Sequence, residues 1–556
     1  MLLKMTFSIF VNFALVAQIF TAVSAVDVDA GFDVFFKTNM EEMENVPISF
    51  DKPIPSWLKG TLVRNGLGRF EVGHRNFTHS FDAFGKLSSW IFPGNGSAFF
   101  TTKFLQSDFY KESVAKNDIA SYLMFESVVP KFNEVQKLEA LARGIDNMNV
   151  NVYKFTDQSS GNISQYVVLN DFWKIYQIEP SSLTTIKPVT ASVPNGKHSG
   201  GFAFLSFLSS AHPLPESGTL NHFTFLSSVS LIPGIKSKIS LVRIKSTTER
   251  EVVADWDVDK VPYMHSFSAT ENYVIIFAAP FYINVGKIIR TAEPFKSLDW
   301  FENEDTTIYV IHIKSGHVQK LSIPNVFSMH HINAFERNDS KIVVDVSAYT
   351  SPAFVKNLEV AILRDAQKRN NFDAHAMVKR YVIDLVNEHA TMETFETNES
   401  TGVACADKLD LPTINEQYRY KEYCFVYGVV LKWDNVRLSR IAIVKKDLCG
   451  QNRDRMWFVP NHYPMESWFV PFPSHLSKDE DDGYLLVPVL DGIKKTTYLA
   501  FIDAKTMKTT HRAYLPTAVP FGLHGRFFPE LVDVPNKTKF NRVTKRKIRY
   551  SLFNKT

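Results

Sequence analysis

Beyond residue 60 the chain is a succession of short runs rich in Val, Ile, Tyr and Phe. Examples are Gly60–Val63, Gln165–Leu169, Tyr273–Phe277, Thr307–His312, Lys341–Val346, Val426–Leu431, Tyr484–Val489 and Thr497–Ile502. Turn-forming residues bound them, as in Pro93-Gly94-Asn95-Gly96 and Asp482-Gly483. Helical stretches are few and fall at Asn39–Asn45, Lys131–Ala142 and Val355–Lys368. There is no strict repeat and no low-complexity linker. So many irregularly spaced strands without a composition break predict an all-β fold, either a closed sheet or a propeller whose divergent blades hide their period.

The composition fits a large core. Of 556 residues, 45% are hydrophobic and 22% charged, which excludes disorder, collagen and coiled coil. The net charge of only +4 gives nucleic-acid binding no support. Phenylalanine is abundant at 46 residues, enough for a core and for the walls of an apolar tunnel. Three cysteines permit at most one disulfide with one thiol left over, and none has CxxC metal spacing.

The first 25 residues stand apart. Lys4 is the only charge before Asp27, and the apolar run Phe7–Ala25 ends in the small-residue pattern Val23-Ser24-Ala25. Residues 1–25 are read as a cleaved signal peptide, with an uncleaved membrane anchor as the alternative, and residues 26–556 as a single domain. Secretion or residence in the ER lumen is therefore expected. Glycosylation sequons at Asn76, Asn95, Asn162, Asn338, Asn398, Asn536 and Asn554 fit that route weakly, since some arise by chance.

Local catalytic motifs are absent: no GxSxG, Walker loop, HExxH or GxGxxG occurs. Gly66-Leu67-Gly68 reads as a tight turn. Sixteen histidines remain, and four have suggestive settings. They are His212 in Ser209-Ser210-Ala211-His212-Pro213, His265 in Pro262-Tyr263-Met264-His265-Ser266, His330 in His330-His331-Ile332-Asn333, and His524 in Phe521-Gly522-Leu523-His524-Gly525. Each is flanked by apolar residues and a turn-former at an expected strand end, where a rigid sheet delivers side chains to a shared site. His79, His331 and His462 are assigned structural roles.

These contexts, with Pro55-Ser56-Trp57-Leu58-Lys59-Gly60-Thr61-Leu62-Val63-Arg64-Asn65-Gly66, His79-Ser80-Phe81-Asp82, Asp146-Asn147, Val150-Asn151-Val152-Tyr153 and Glu480-Asp481-Asp482-Gly483, resemble the carotenoid cleavage oxygenase family from about Pro55 to Phe528. The resemblance implies a seven-bladed β-propeller, with a few helices and loops capping an axial Fe(II). The iron ligands, and hence the catalytic residues, are then His212, His265, His330 and His524. Imidazole suits ferrous iron, and four neutral ligands leave positions open for O2 or substrate.

The family backs three of its histidines with glutamates. Glu466 fills one such position, whereas Asp171 and Asp410 occupy the other two. Aspartate is shorter by about 1.5 Å, so its hydrogen bond is expected to be re-made by backbone movement or through water. Further departures are Leu67 for a proline, Ala83 for a glycine, and Ser467 and Trp468 for a proline and an aliphatic residue.

The activity so implied is oxidative scission of a polyene double bond by O2 to give two aldehydes, with β-carotene to retinal as the leading choice. Retinoid ester isomerohydrolysis and non-catalytic binding of carotenoid or retinoid by a secreted propeller are the alternatives, the last favoured by the two aspartates. The partners are a lipophilic polyene, O2 and, because such a substrate lives in lipid, a peripheral membrane contact.

Overall fold

The structure, a computed structural model, describes residues 29–191, 204–230, 234–337, 340–370, 375–395, 403, 405–433 and 438–532. The leader and the sequons at Asn338, Asn398, Asn536 and Asn554 lie outside the described residues.

Burial explains the strand composition. Tyr273–Ala278 is buried at all but its first residue, and Phe425–Val430 throughout. Such strands are covered on both faces, so they read as continuous apolar runs and not as alternating ones. Outer strands differ: Thr184–Thr190 and His389–Thr394 are mostly exposed and carry Thr, Lys and Glu. That gradient from buried inner to exposed outer strands belongs to blades stacked around an axis.

Seven antiparallel sheets of four or five strands make the propeller. The first is built from Met43–Ile48, Ala98–Phe104, Phe84–Pro93 and Lys59–Arg69, and is completed by the last strand, Gly522–Phe528, which pairs with Lys59–Arg69 and so closes the ring. The second holds Asn151–Asp157, Ile163–Leu169, Lys174–Glu179 and Thr184–Thr190. The third begins at Phe204–Leu208, the fourth at Ser268–Ala269, the fifth at Phe327–Arg337, the sixth at Asp410–Thr413 and the seventh at His462–Pro464.

Three sequence expectations are corrected. Residues Asn39–Asn45 form no helix; Met43–Ile48 is a strand paired with Ala98–Phe104, because Pro47 opposes a helix and the edge of the first sheet supplies partners. Val355–Lys368 is broken into the one-turn helices Ala353–Lys356, Val360–Leu363 and Ala366–Arg369. Gly66-Leu67-Gly68 is not a turn but lies inside Lys59–Arg69. A Cβ on Gly66 would sit 2.6 Å from the Phe521 carbonyl, so glycine is what lets the closing segment approach.

The segments joining strands cap one end of the axis. They include the helices Asp108–Lys116, Glu134–Arg143 and Val285–Thr291. Motifs without chemistry act as braces here. Asn147 donates its amide to the carbonyls of Asp82 and Ala83, and Glu480 accepts from the backbone N–H of Cys424 and Phe425. Cys424 and Cys449, 25 apart in sequence, form a disulfide across the sixth blade, leaving Cys405 free and buried.

Candidate metal centre

Each blade contributes one residue to a common point on the axis. The first supplies His524, within Gly522–Phe528, and the fifth His330, within Phe327–Arg337. The sixth supplies Asp410, at the start of Asp410–Thr413. Asp171 sits between two strands of the second blade, His212 follows Phe204–Leu208, His265 precedes Ser268–Ala269, and Glu466 lies between His462–Pro464 and Trp468–Pro471. His330 and His524 are thus inside strands and not at strand ends as the sequence suggested. A bulge on either side of His330 turns its ring inward.

The four imidazoles present ring nitrogens that all lie within 4.8 Å of one another. His212 Nε2 is 3.0 Å from His265 Nε2, and His330 Nε2 is 3.2 Å from His524 Nε2. Nitrogens about 2.1 Å from one ion and at right angles around it would be about 3 Å apart, so these separations suit a shared transition-metal ion.

Three rings are fixed from behind. His265 Nδ1–H donates to Asp171 Oδ2 at 2.6 Å, His330 Nδ1–H to Asp410 Oδ1 at 2.7 Å, and His524 Nδ1–H to Glu466 Oε1 at 2.7 Å. The aspartates reach directly, without the water bridge the shorter side chain suggested. Backbone adjustment accompanies this at Asp410: the strand is bulged there, and Leu411 has φ +50°. The Leu411 N–H then donates to Asp410 Oδ1, and the Ala211 N–H to Asp171 Oδ1. Among the described residues no carboxylate bonds the His212 ring from behind; its backbone is held by Ser210, whose hydroxyl also donates to the His265 carbonyl.

Charge supplies a second test of fit. Behind the rings lie three carboxylates and one buried cation, Arg64, whose guanidinium is 2.6 Å from Glu466 Oε2. Three negative charges against one positive leave a deficit that a divalent cation neutralises. Burial raises the Glu466 carboxyl, but Arg64 and His524 outweigh it and hold the group below the usual carboxylate range. Burial, with the neighbouring imidazoles, keeps His212 well below the ordinary histidine range and His524 at about 4. With Nδ1–H given to carboxylates, the Nε2 atoms of His330 and His524 face each other at 3.2 Å, a contact that needs a proton or a metal cation between them; although burial opposes it, Asp410 raises His330 above the ordinary histidine range, so its site favours positive charge.

Two chambers meet at the cluster. One, of about 1280 Å³, is lined by His265, His330 and His524 and by aromatic and aliphatic side chains such as Phe81, Phe172, Phe354 and Leu431. It shares Phe125, Ile145, Phe172 and Tyr263 with a second apolar cavity of about 1090 Å³ beneath the helix Val285–Thr291, so the two adjoin across a common wall. On the other side His212 and His524 line a polar chamber of about 650 Å³ with Glu416, Arg419 and Arg526.

His79, His331 and His462 stand outside the cluster and are bound to the Val355 carbonyl, Ser268 and Tyr498. Leu67 lies on the apolar chamber's wall, Ala83 is fully buried, and Ser467 and Trp468 flank the polar chamber. The sequence reading missed Arg64, Tyr263 and Tyr349, although Arg64 and Tyr263 stand in the stretches that carry the family resemblance.

A seven-bladed propeller with four converging imidazoles on its axis, open to an apolar tunnel, defines a class of propellers built around an axial transition-metal site. Residues 35–529 match the family model described as retinal pigment epithelial membrane protein (RPE65), and the chain belongs to that family. It is 25% identical to the β,β-carotene 15,15′-dioxygenase of Gallus gallus over 89% of this chain and 98% of that protein, and 25% identical to the Homo sapiens enzyme over 90% and 95%. A carotenoid isomerooxygenase of Galleria mellonella is also 25% identical, over 86% and 92%. Among solved structures, cobalt-substituted apocarotenoid oxygenase of Synechocystis superposes with a TM-score of 0.73 at 21% identity, covering 89% of this chain and 98% of that one.

Proposed function

We propose that this protein is an iron-dependent dioxygenase that cleaves a carotenoid or apocarotenoid C=C bond with O2, with β-carotene to retinal as the leading reaction. The observation that carries the reading is the placement of the four-imidazole cluster at the wall of a large apolar chamber. Relatives named as carotene dioxygenases across nearly the whole chain support it. His212, His265, His330 and His524 would hold Fe(II). Bound there, iron supplies the activation of O2 that a closed-shell protein side chain cannot.

The chain's own residues do the rest. The aromatic wall excludes water and aligns the polyene so that one double bond rests beside the cluster. Asp171, Asp410 and Glu466 orient the rings and keep Nε2 deprotonated toward the metal. No general base is required: the C=C bond and O2 become two C=O groups, one oxygen atom in each aldehyde. The non-catalytic alternative loses the feature that favoured it, because both aspartates bond their histidines directly.

Export and glycosylation form part of the proposal. The sequence's leader pattern, the disulfide and the exposure of Asn76, Asn95 and Asn162 support them. A peripheral membrane contact is supported by Ile289, 57% exposed on the helix Val285–Thr291, whose Ile288 lines the outer cavity.

Metal analysis of purified protein should find about one iron per chain, and incubation with β-carotene under 18O2 should yield aldehydes labelled at both ends. His265→Ala should lose the iron and the turnover while remaining folded. Absence of iron from the wild type, or iron retained by His265→Ala, would defeat the assignment.

A further inference from the structure

Two of the three carboxylates behind the imidazoles are aspartates, and each of them receives a phenol. Tyr263 donates its hydroxyl to Asp171 Oδ2 at 2.9 Å, and Tyr349 donates to Asp410 Oδ2 at 2.5 Å. The glutamate is treated differently, since Glu466 takes the Arg64 guanidinium. Both tyrosines come from the wall of the apolar chamber. Their rings are clamped: Tyr349 stacks on Phe354 with centroids 3.9 Å apart and planes 8° from parallel, and Tyr263 packs edge-on against Phe281. A hydrogen-bonded hydroxyl on a clamped ring is a fixed anchor for the oxygen it contacts.

We propose that Tyr263 and Tyr349 are positioning residues for the metal centre, each completing a tyrosine–aspartate–histidine chain that lets an aspartate hold its imidazole in line. This deepens the metal-centre reading and rests on it. Each aspartate is held at both oxygens: a backbone N–H, from Ala211 or Leu411, bonds Oδ1. The phenol bonds Oδ2 and completes the clamp. Both hydroxyls are thereby satisfied within the wall of the chamber that the two aspartates also line.

The test measures Co(II) affinity of the metal-free protein by chelator competition and visible absorption, cobalt being an air-stable stand-in for ferrous iron. Tyr349→Phe is expected to bind about 10–100-fold more weakly than wild type, with the thermal midpoint of the metal-free protein little changed. Adding Asp410→Glu to that variant should restore most of the affinity and the wild-type spectrum, because the longer acid enters the space the hydroxyl vacated. Tyr263→Phe supplies the second, independent site, with the same expectation. Affinity within twofold of wild type for both phenylalanine variants overturns the proposal, as does failure of Asp410→Glu to rescue a folded Tyr349→Phe protein. A wild type that binds no cobalt would instead defeat the functional reading beneath it.

Discussion

The two chambers that meet at the histidine cluster differ in almost every property. The apolar one is walled mostly by Phe, Leu, Ile and Tyr, and its tyrosine hydroxyls are committed to Asp171 and Asp410. The polar one is half the volume and contains the Glu416–Arg419 ion pair and Arg526, whose guanidinium lies over Tyr153. An apolar ligand loses nothing on entering the first and would strip hydration from charges on entering the second. The cluster therefore has a substrate side and a solvent side. His265 and His330 line the former, His212 the latter, and His524 both.

The sharpest way to break this division is to place a charge on the substrate side. Phe172→Arg, at a residue that lines both apolar cavities, should cut carotenoid turnover about 100-fold, since desolvating a guanidinium costs several kcal/mol and each 1.4 kcal/mol is tenfold. Bound metal should be unchanged. Full activity in steady-state assays would show that the substrate takes another path.

Shape gives a smaller effect. Leu431→Phe narrows the apolar chamber and should lower turnover of a two-ringed carotenoid about tenfold relative to a shorter apocarotenoid. Competition between the two substrates reads that ratio directly.

Acid should strain both sides through buried histidines. Burial lowers His79, packed against Phe125 by the apolar chamber, to about 4, and His331, on the polar one, to about 3. Both are neutral when folded, whereas the unfolded chain protonates them near 6.5. Below about pH 6.5 the unfolded state therefore binds more protons, and stability falls as pH drops toward 4, by up to about 1.4 kcal/mol per pH unit for each histidine. Urea midpoints between pH 7 and 5 test this; a flat profile would contradict it.

Least affected should be the solvent side. Glu416→Gln removes a charge there and should change carotenoid turnover less than twofold. A large loss would mean that the polar chamber shares in substrate handling.

Much of this was legible in the chain. Seven of the eight apolar runs chosen as strands fall within strands and Val426–Leu431 overruns its strand by one residue, because inner strands are covered on both faces and select Val, Ile, Tyr and Phe regardless of where they lie in the ring. The settings of His212 and His265 between strands were legible too, whereas His330 and His524 proved to lie inside strands. Asn39–Asn45 was misread because its Met and Glu residues favour a helix in isolation, while the unpaired edge of the first sheet decides otherwise. The break in Val355–Lys368 was equally invisible locally: its short turns are set by contacts such as the Val360 N–H with the Thr78 carbonyl, far away in sequence.

Residue type, then, settled the architecture and the kinds of ligand present, because apolar patterning and imidazole chemistry are properties of short segments. Which groups meet was decided only by the folded ring. Asp171 and His265, or Tyr349 and Asp410, come from different blades, and their contact depends on bulges and closure distances to within an ångström. A linear chain encodes no such distances locally; they emerge when Gly522–Phe528 pairs with Lys59–Arg69 and all seven contributors are drawn to one axis.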